Sequence, residues 1–246
     1  LQLTLAHVHH GLRPTAEADA TFVERLAKRY HLEFLSRRVD VRARVDRTGE
    51  SEEEAAREVR YAALSEMAAE AGATRIATGH TADDQAETVL MRILRGTGLL
   101  GLAGIPPRRG PVIRPLLPLW RRDILAYLQA RGLESCTDET NASLDYTRNR
   151  VRQQLLPELE QEYAPRLRVR LQQLAEMARQ DSAVLETLAE DAFTRFRQWL
   201  PDGLALPPMP ALPHAVRWRV WRRALAEVRG GGDDISYDHL DSLADL

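Results

Sequence analysis

Thr78-Gly79-His80-Thr81-Ala82-Asp83-Asp84-Gln85-Ala86-Glu87-Thr88, running on through Arg92, Arg95 and Gly96-Thr97-Gly98 to Pro106-Pro107, decides the fold class of this 246-residue chain. A short apolar strand, Arg75-Ile76-Ala77, leads into a glycine turn and then a helix whose first turn carries two adjacent carboxylates. Acids are favoured there by the positive end of the helix dipole. The plainest account makes Asp83 an N-cap and puts Glu87 on the exposed face. A histidine before the carboxylates, with arginines and glycines after them, is more than a cap requires.

Upstream of this stretch, strand and helix alternate. Leu1 to His9 is apolar and β-rich. Thr15 to Tyr30 carries Phe22, Val23, Leu26, Ala27 and Tyr30 at helical spacing, and Leu32 to Val41 reads as a second strand. Ser51 and Glu54 form a capping box for a helix with Ala55, Val59, Ala62, Ala63 and Met67 along one side. This alternation predicts an α/β fold with a parallel, doubly wound sheet. Ligands of such sheets bind beyond the carboxyl ends of the strands. His9, His10, Gly11 and Arg13 follow one strand end, and His80, Asp83 and Asp84 follow another, so both clusters are expected at one rim. His7 alternates inward with Leu5 and Leu3 and reads as a packed strand residue.

Downstream the character changes. Gly96 to Pro118 holds too many glycines and prolines for a regular element, although Val112-Ile113 fits a short strand. Trp120 to Arg131 reads as a helix stopped at Gly132. After the polar loop from Glu134 to Thr147 the pattern is mostly helical: Arg148 to Leu156 is broken by Pro157, and Pro165 leads an amphipathic stretch to about Leu200. Pro201 to Pro213 reads as a linker. The expected domains are an α/β domain over 1–132, a connecting active-site segment over 133–160 and a mainly α-helical domain over 161–246.

The formal net charge of −2 argues against a polybasic surface, but a local patch suffices for RNA. Lys28 is the only lysine, so the positive charge is almost all guanidinium, which suits bidentate phosphate contacts; a GC-rich genome gives the same bias. The single Cys136 excludes from this chain an internal disulfide, a cysteine zinc site and a cysteine-ligated iron–sulfur cluster. It also fits a reducing, cytoplasmic setting. No apolar run reaches membrane-spanning length, and no signal peptide is expected ahead of the first strand. Asp138, Asn141, Asp145, Tyr146, Arg148, Asn149 and Arg152 form a second constellation. Read alone, the first two are turn formers and the arginines a solvated face. Arg148 and Arg152 also lie one helical turn apart, where they can clamp a phosphate or adenylate.

TGHTADDQAETVLMRILRGTG from Thr78, AHVHHGLR over 6–13, SEEEAAREVRYAAL from Ser51 and DETNASLDYTRNRVR from Asp138 together resemble the tRNA(Ile)-lysidine synthetases of the PP-loop ATP pyrophosphatase superfamily. The four blocks come in the same order along the chain, and the resemblance covers roughly residues 3 to 160. It implies a PP-loop, adenine-nucleotide-hydrolase-like α/β domain. The implied activity is a carbon–nitrogen ligase, joining L-lysine to the wobble cytidine of isoleucine tRNA (CAU anticodon) through an adenylated base. ATP with Mg²⁺ would drive it, in the cytoplasm, with a homodimer as the expected assembly. On this pattern Asp84 activates or orients the reacting groups, His80 and Glu87 support it, and Arg148 meets the phosphate or adenylate. Ala6, Val8, His10 and Arg13 border the nucleotide, with His9 in place of the family's usual asparagine. Asp83, Arg92, Arg95, Asp138, Asn141, Asn149 and Arg152 fall to substrate or tRNA, and Asp84 to the metal. The arginines Arg92, Arg95, Arg148 and Arg152 are expected on one RNA-facing side, with the acidic helix from Ser51 facing elsewhere.

One departure is large. The family's SGGxDS phosphate loop does not occur in these residues, and the chain opens on Leu1 in the middle of an expected strand. The expectation is that strand, loop and helix lie to the N-terminal side, and that this chain alone is inactive. Two other readings stand beside the ligase: a PP-loop tRNA sulfurtransferase, which generally uses paired cysteines, and a non-catalytic RNA- or protein-binding remnant.

Overall fold

The structure, a computed structural model, describes residues 2–9, 16–136, 144, 146–201, 203–229 and 243. His10, Arg13, Asp138 and Asn141, all expected at the site, lie outside the described residues. The chain forms two compact units, Leu1–Asp84 with Pro106–Gln153 and Gln85–Ile105 with Gln154–Leu246.

In the first unit β1 (Thr4–His9) and β2 (Glu33–Arg38) pair in parallel, from Thr4 opposite Glu33 to His9 opposite Arg38. Parallel neighbours need a crossover, supplied by α1 (Ala16–Arg29), which packs on both strands and buries Ala27. Its first turn carries Glu17 and Asp19 and its last Lys28 and Arg29, each end matched to the helix dipole. The second strand is shorter than its apolar pattern suggests. Asp40 accepts the Ala43 N–H at 3.0 Å and starts a helix, α2 (Val41–Thr48), which Gly49 ends at φ 71°. A local N-cap thus turns Val41 from strand to helix.

The capping box of α3 (Glu52–Glu70) forms as expected: the Ser51 hydroxyl takes the Glu54 N–H, and the Glu54 carboxylate takes the Ser51 N–H, both at 3.3 Å. Ala55, Ala63 and Met67 are buried, while Ala62, expected on the same side, is exposed. This helix packs on β1, β2 and β3 (Ile76–Ala77). β3 pairs in parallel with β5 (Val112–Ile113), and β4 (Arg108–Arg109) adds an antiparallel edge on the other side of β5. Parallel pairing is therefore present in both ladders, which among the described residues are not hydrogen-bonded to each other. α4 (Ala82–Arg95) starts in this unit and runs on into the second. α6 (Arg121–Ala130) ends as the sequence indicates, with Gly132 at φ 60°.

The second unit shows what the glycine-rich segment is for. Between α4 and a short α5 (Leu99–Leu102), and just beyond it, the chain is held by side chains of α4. Gln85 accepts the Ile105 N–H at 2.6 Å and donates to the Ala103 carbonyl at 3.2 Å. Arg92 donates to the carbonyls of Gly101 and Gly104 at 2.7 and 2.9 Å. Gly104 sits at φ +64°, and a Cβ there would meet Gln85 Oε1 at 2.6 Å, so a left-handed backbone and a close approach both require glycine.

Pro157 does not break the helix that begins at α7 (Thr147–Arg150). The chain widens into a π-helical turn over Val151–Leu155 and continues as α8 (Leu156–Glu162). Proline has no N–H to give the carbonyl four residues back and its ring crowds that carbonyl, and the wider turn accommodates both. The segment 201–213, expected as a linker, is instead part of a core. β6 (Gln198–Leu200) and β7 (Gly203–Ala205) form a hairpin, and Met209 is buried with Phe193 of α9 (Leu167–Phe196) and Val220 of α10 (His214–Arg229). Leu204, Leu206 and Leu212 pack against this cluster. The leucines and methionine between the prolines have apolar area to bury, which a solvated linker would leave in water.

No helix among the described residues is long and apolar enough to cross a membrane. Replacing Ser51 with alanine removes the exposed capping box without touching the core. It is expected to lower stability by about 1 kcal/mol, read as a shifted urea midpoint at unchanged slope.

Candidate functional site

Thr78 follows β3, its N–H donating to the Ile113 carbonyl at 3.0 Å, and the next three residues turn the chain into α4. The carboxylate that starts this helix is Asp84, not Asp83. Asp84 Oδ2 accepts both the N–H and the hydroxyl of Thr81 at 2.8 Å, and Thr81 Oγ1 in return accepts the Asp84 N–H at 3.4 Å. Asp83 turns the other way and accepts the Arg121 N–H at 2.8 Å, which caps α6. Glu87, assigned by the plain account to the exposed face, is wholly buried.

The second oxygen of Asp84 receives the second constellation. Arg148 and Arg152 donate to Oδ1 at 2.8 and 3.2 Å, across 64 and 68 residues of sequence. The two guanidiniums share one face, as their spacing predicted, and what they clamp here is a carboxylate. Burial alone pushes the Asp84 carboxyl up. The Thr81 N–H, Arg148, the Thr81 hydroxyl and Arg152 together outweigh it and hold the group below its ordinary value.

An open cavity of about 660 Å³ lies against this cluster, entirely within the first unit. Ala6, His7 and Val8 contribute from β1, and Ala77 to His80 from the end of β3, with Asp84 and Arg148 beside them. Three consecutive strand residues alternate faces, so the cavity reaches the edge of β1 that no described strand covers. His7, expected to be packed away, is half-exposed and lines the cavity, while its Nε2 is buried without a partner. α3 closes the wall with Glu53, Arg57, Arg60 and Tyr61. The helix from Ser51 therefore faces the same cavity as Arg148 rather than elsewhere. Sequence reasoning passed over Arg57, Arg60 and Tyr61, although their i, i+3, i+4 spacing in AREVRY places them on one side of a helix.

His80 is the neutral member of the set. Its Nδ1 lies 3.0 Å from the Thr78 hydroxyl. Burial pushes its pKa down to about 4; Asp84 raises it in part, and Arg114, Arg148 and Arg60 lower it further. At neutral pH the ring hydrogen-bonds without adding charge. Arg92 is committed to loop carbonyls in the second unit, Arg95 is exposed, and Asn149 is buried on α7.

The expected contact of Asp84 with Mg²⁺ does not fit this arrangement. Both carboxylate oxygens are occupied by donors, and among the described residues no three His, Cys, Asp or Glu side chains converge on a cation position.

Residues 1–159 match the family described as the PP-loop domain. Among curated proteins, the tRNA(Ile)-lysidine synthase of Geobacter sulfurreducens is 41% identical over 249 residues, 99% of this chain and 53% of that protein. That of Thermus thermophilus is 40% identical over 227 residues, 92% of this chain and 44% of the relative. The chain thus spans about half the length of the curated relatives it matches. A U34-tRNA thiolase, NcsA from Methanococcus maripaludis, solved with its 4Fe–4S cluster, aligns at a TM-score of 0.56 over 72% of this chain and 62% of that one. At 17% identity the likeness is one of fold.

A histidine held at about 4 binds fewer protons folded than unfolded. Its contribution to stability is intact above the ordinary value of 6.5 and declines as pH falls toward 4. Histidine ring signals followed by NMR should show His80 titrating near pH 4, and His80→Gln should flatten the loss of stability over that window. A midpoint at or above 6.5 would contradict the buried, neutral assignment.

Proposed function

The chain belongs to the PP-loop domain family, and from that premise we propose that the protein carrying it is a tRNA(Ile)-lysidine synthetase. In this reading it joins L-lysine to the wobble cytidine of isoleucine tRNA with a CAU anticodon, at the expense of ATP, in the cytoplasm. The base is adenylated as pyrophosphate leaves, and the lysine amine then displaces AMP. One observation carries the reading. Residues from all four blocks that resemble the family, Ala6 to Val8, Arg57 with Arg60 and Tyr61, Thr78 to His80 with Asp84, and Arg148, line a single cavity. The synthase relatives at 35–41% identity over nearly the whole chain support the same choice.

Each residue takes a role that its geometry allows. Ala6 and Val8 present a strand edge and small side chains, suited to a flat adenine ring. Arg148 and Arg152 supply the cations that a departing pyrophosphate or an adenylate needs. Asp84, ionised and held by four donors, is too acidic and too engaged to abstract a proton. It serves as the fixed anion that positions both arginines and the start of α4. A phosphate entering the cavity competes with Asp84 Oδ1 for Arg148, so substrate binding and the Asp84 ion pairs are coupled. His80, neutral and bonded to Thr78, can hydrogen-bond the flipped cytosine or the incoming amine. ATP would bring its own Mg²⁺, bound mainly through phosphate oxygens, and no step here depends on a protein cage for it. Arg95 remains available to tRNA, whereas Arg92 and Asp83 are already engaged in holding the 101–104 loop and the start of α6.

The test uses the whole natural polypeptide that carries these residues. Asp84→Asn keeps the shape and a bond to Thr81 but removes the charge that holds Arg148 and Arg152. Turnover of ATP to AMP with lysine and tRNA is expected to fall about a hundredfold or more, with tRNA affinity changed by less than about threefold. Near-normal turnover would return Asp84 to a capping role. Neutralising Arg148 and Arg152 together should abolish turnover and leave the salt slope of tRNA binding unchanged; a slope reduced by about one unit per arginine would move them onto the RNA backbone.

A further inference from the structure

We propose that Arg114, the first residue after β5, is a positioning residue for the reaction above, tying Tyr61 of α3 to the strand end from which the chain turns toward His80. The proposal rests on that reaction for its turnover readout; the bonds and the ring titration stand without it. Arg114 does not line the cavity and is only 4% exposed. Among the described residues no carboxylate meets its guanidinium, and its Nε is buried without a hydrogen-bond partner. A cation kept in such a place is costly, and an apolar side chain of similar size would avoid the cost.

The bonds that Arg114 does make show what it holds. Pro106 and Pro107 offer two carbonyls and no N–H, so donors for this turn have to come from elsewhere. Arg114 supplies both: its backbone N–H donates to the Pro107 carbonyl at 2.9 Å, and Nη1 donates to the Pro106 carbonyl at 2.8 Å. The other prong, Nη2, donates to the Tyr61 hydroxyl at 3.4 Å. One residue earlier, the Ile113 carbonyl takes the Thr78 N–H at 3.0 Å, and Thr78 Oγ1 lies 3.0 Å from His80 Nδ1. A planar fork fixes two partners in one geometry, which a single ammonium does not. Arg114 thus joins α3, the proline turn and the end of β5 behind two residues of the cavity wall, Tyr61 and His80.

Its charge reaches the same place. The charged groups that act on the His80 ring are Asp84 at the start of α4, Arg114 after β5, Arg148 of α7 and Arg60 of α3. Burial does most to keep the ring neutral. Asp84 opposes it, and among the guanidiniums Arg114 supports it more than Arg148 and Arg60 do. Arg148 and Arg60 stand on the cavity surface, where a bound phosphate offsets their charge. Arg114 lies behind that surface and keeps acting on the ring when the cavity is filled.

The experiment compares Arg114→Gln, Arg114→Lys and Tyr61→Phe in the whole natural polypeptide, by NMR titration of the histidine rings and by turnover of ATP to AMP with lysine and tRNA. Arg114→Gln is expected to lower kcat about tenfold or more, with KM for ATP and for tRNA within about threefold of wild type. It should also move the His80 midpoint up from about 4. Arg114→Lys keeps the charge and loses the fork, so the midpoint should stay in place while kcat remains low. Tyr61→Phe removes only the hydroxyl. It should lower kcat about threefold or more, and adding it to Arg114→Gln should lower kcat by less than about twofold further, because both changes break one tie. Full additivity, or a His80 midpoint still near 4 in a folded Arg114→Gln, overturns the proposal. Should neither Arg114 variant fold, wild-type kcat in Tyr61→Phe overturns it as well. A raised midpoint in a polypeptide that forms no lysidine keeps the role of Arg114 and sinks the proposed reaction.

Discussion

Asp84 is the carboxylate on which the site depends. One of its oxygens is spent on Thr81, which sets where α4 begins. The other is shared by Arg148 and Arg152, which fixes a segment more than sixty residues away. A charge this buried persists only because every lone-pair direction meets a donor. Its ionisation in turn conditions its neighbours: it pulls the His80 pKa upward while the surrounding arginines and burial push it down, and burial wins. The cavity next to it thus contains a fixed anion, a neutral imidazole and an excess of guanidinium.

α3 shows how one element can serve stability and chemistry at once. Its apolar side, with Ala55, Ala63 and Met67, covers strands of both ladders, while Arg57, Arg60 and Tyr61 close the cavity. The capping box at Ser51 fixes where the helix starts, and with it the rotation that decides which residues meet the cavity, because each residue along a helix turns by about 100°. A slip of one position would move Arg60 off that wall. In the second unit the same economy appears in α4, where Gln85 and Arg92 satisfy backbone groups of a glycine-rich loop that has little secondary structure of its own.

Local chemistry was legible in the sequence wherever it acts over a few residues. The Ser51–Glu54 box, the Gly132 stop, the short strand at Val112-Ile113 and the shared face of Arg148 and Arg152 all follow from spacing and from the needs of helix ends. Of the two strand-end clusters expected at one rim, His80 and Asp84 meet the cavity, with Ala6 to Val8 of β1 rather than His9 opposite them. The family was legible from the order of four blocks, each too short to carry it alone.

What only the tertiary structure decided is who meets whom at long range. No spacing rule states that Arg148 and Arg152 would find Asp84 rather than a phosphate, that Asp83 would cap a helix 38 residues on, or that Glu87 would be wholly buried. Nor does composition show that a proline-rich stretch can bury Met209 and its leucines beside Phe193 and Val220. The physical reason is common to all of these. Helix caps and turns are settled by hydrogen bonds within a few residues, whereas the partner of a buried charge or an apolar side chain is chosen by whatever the folded chain brings within reach.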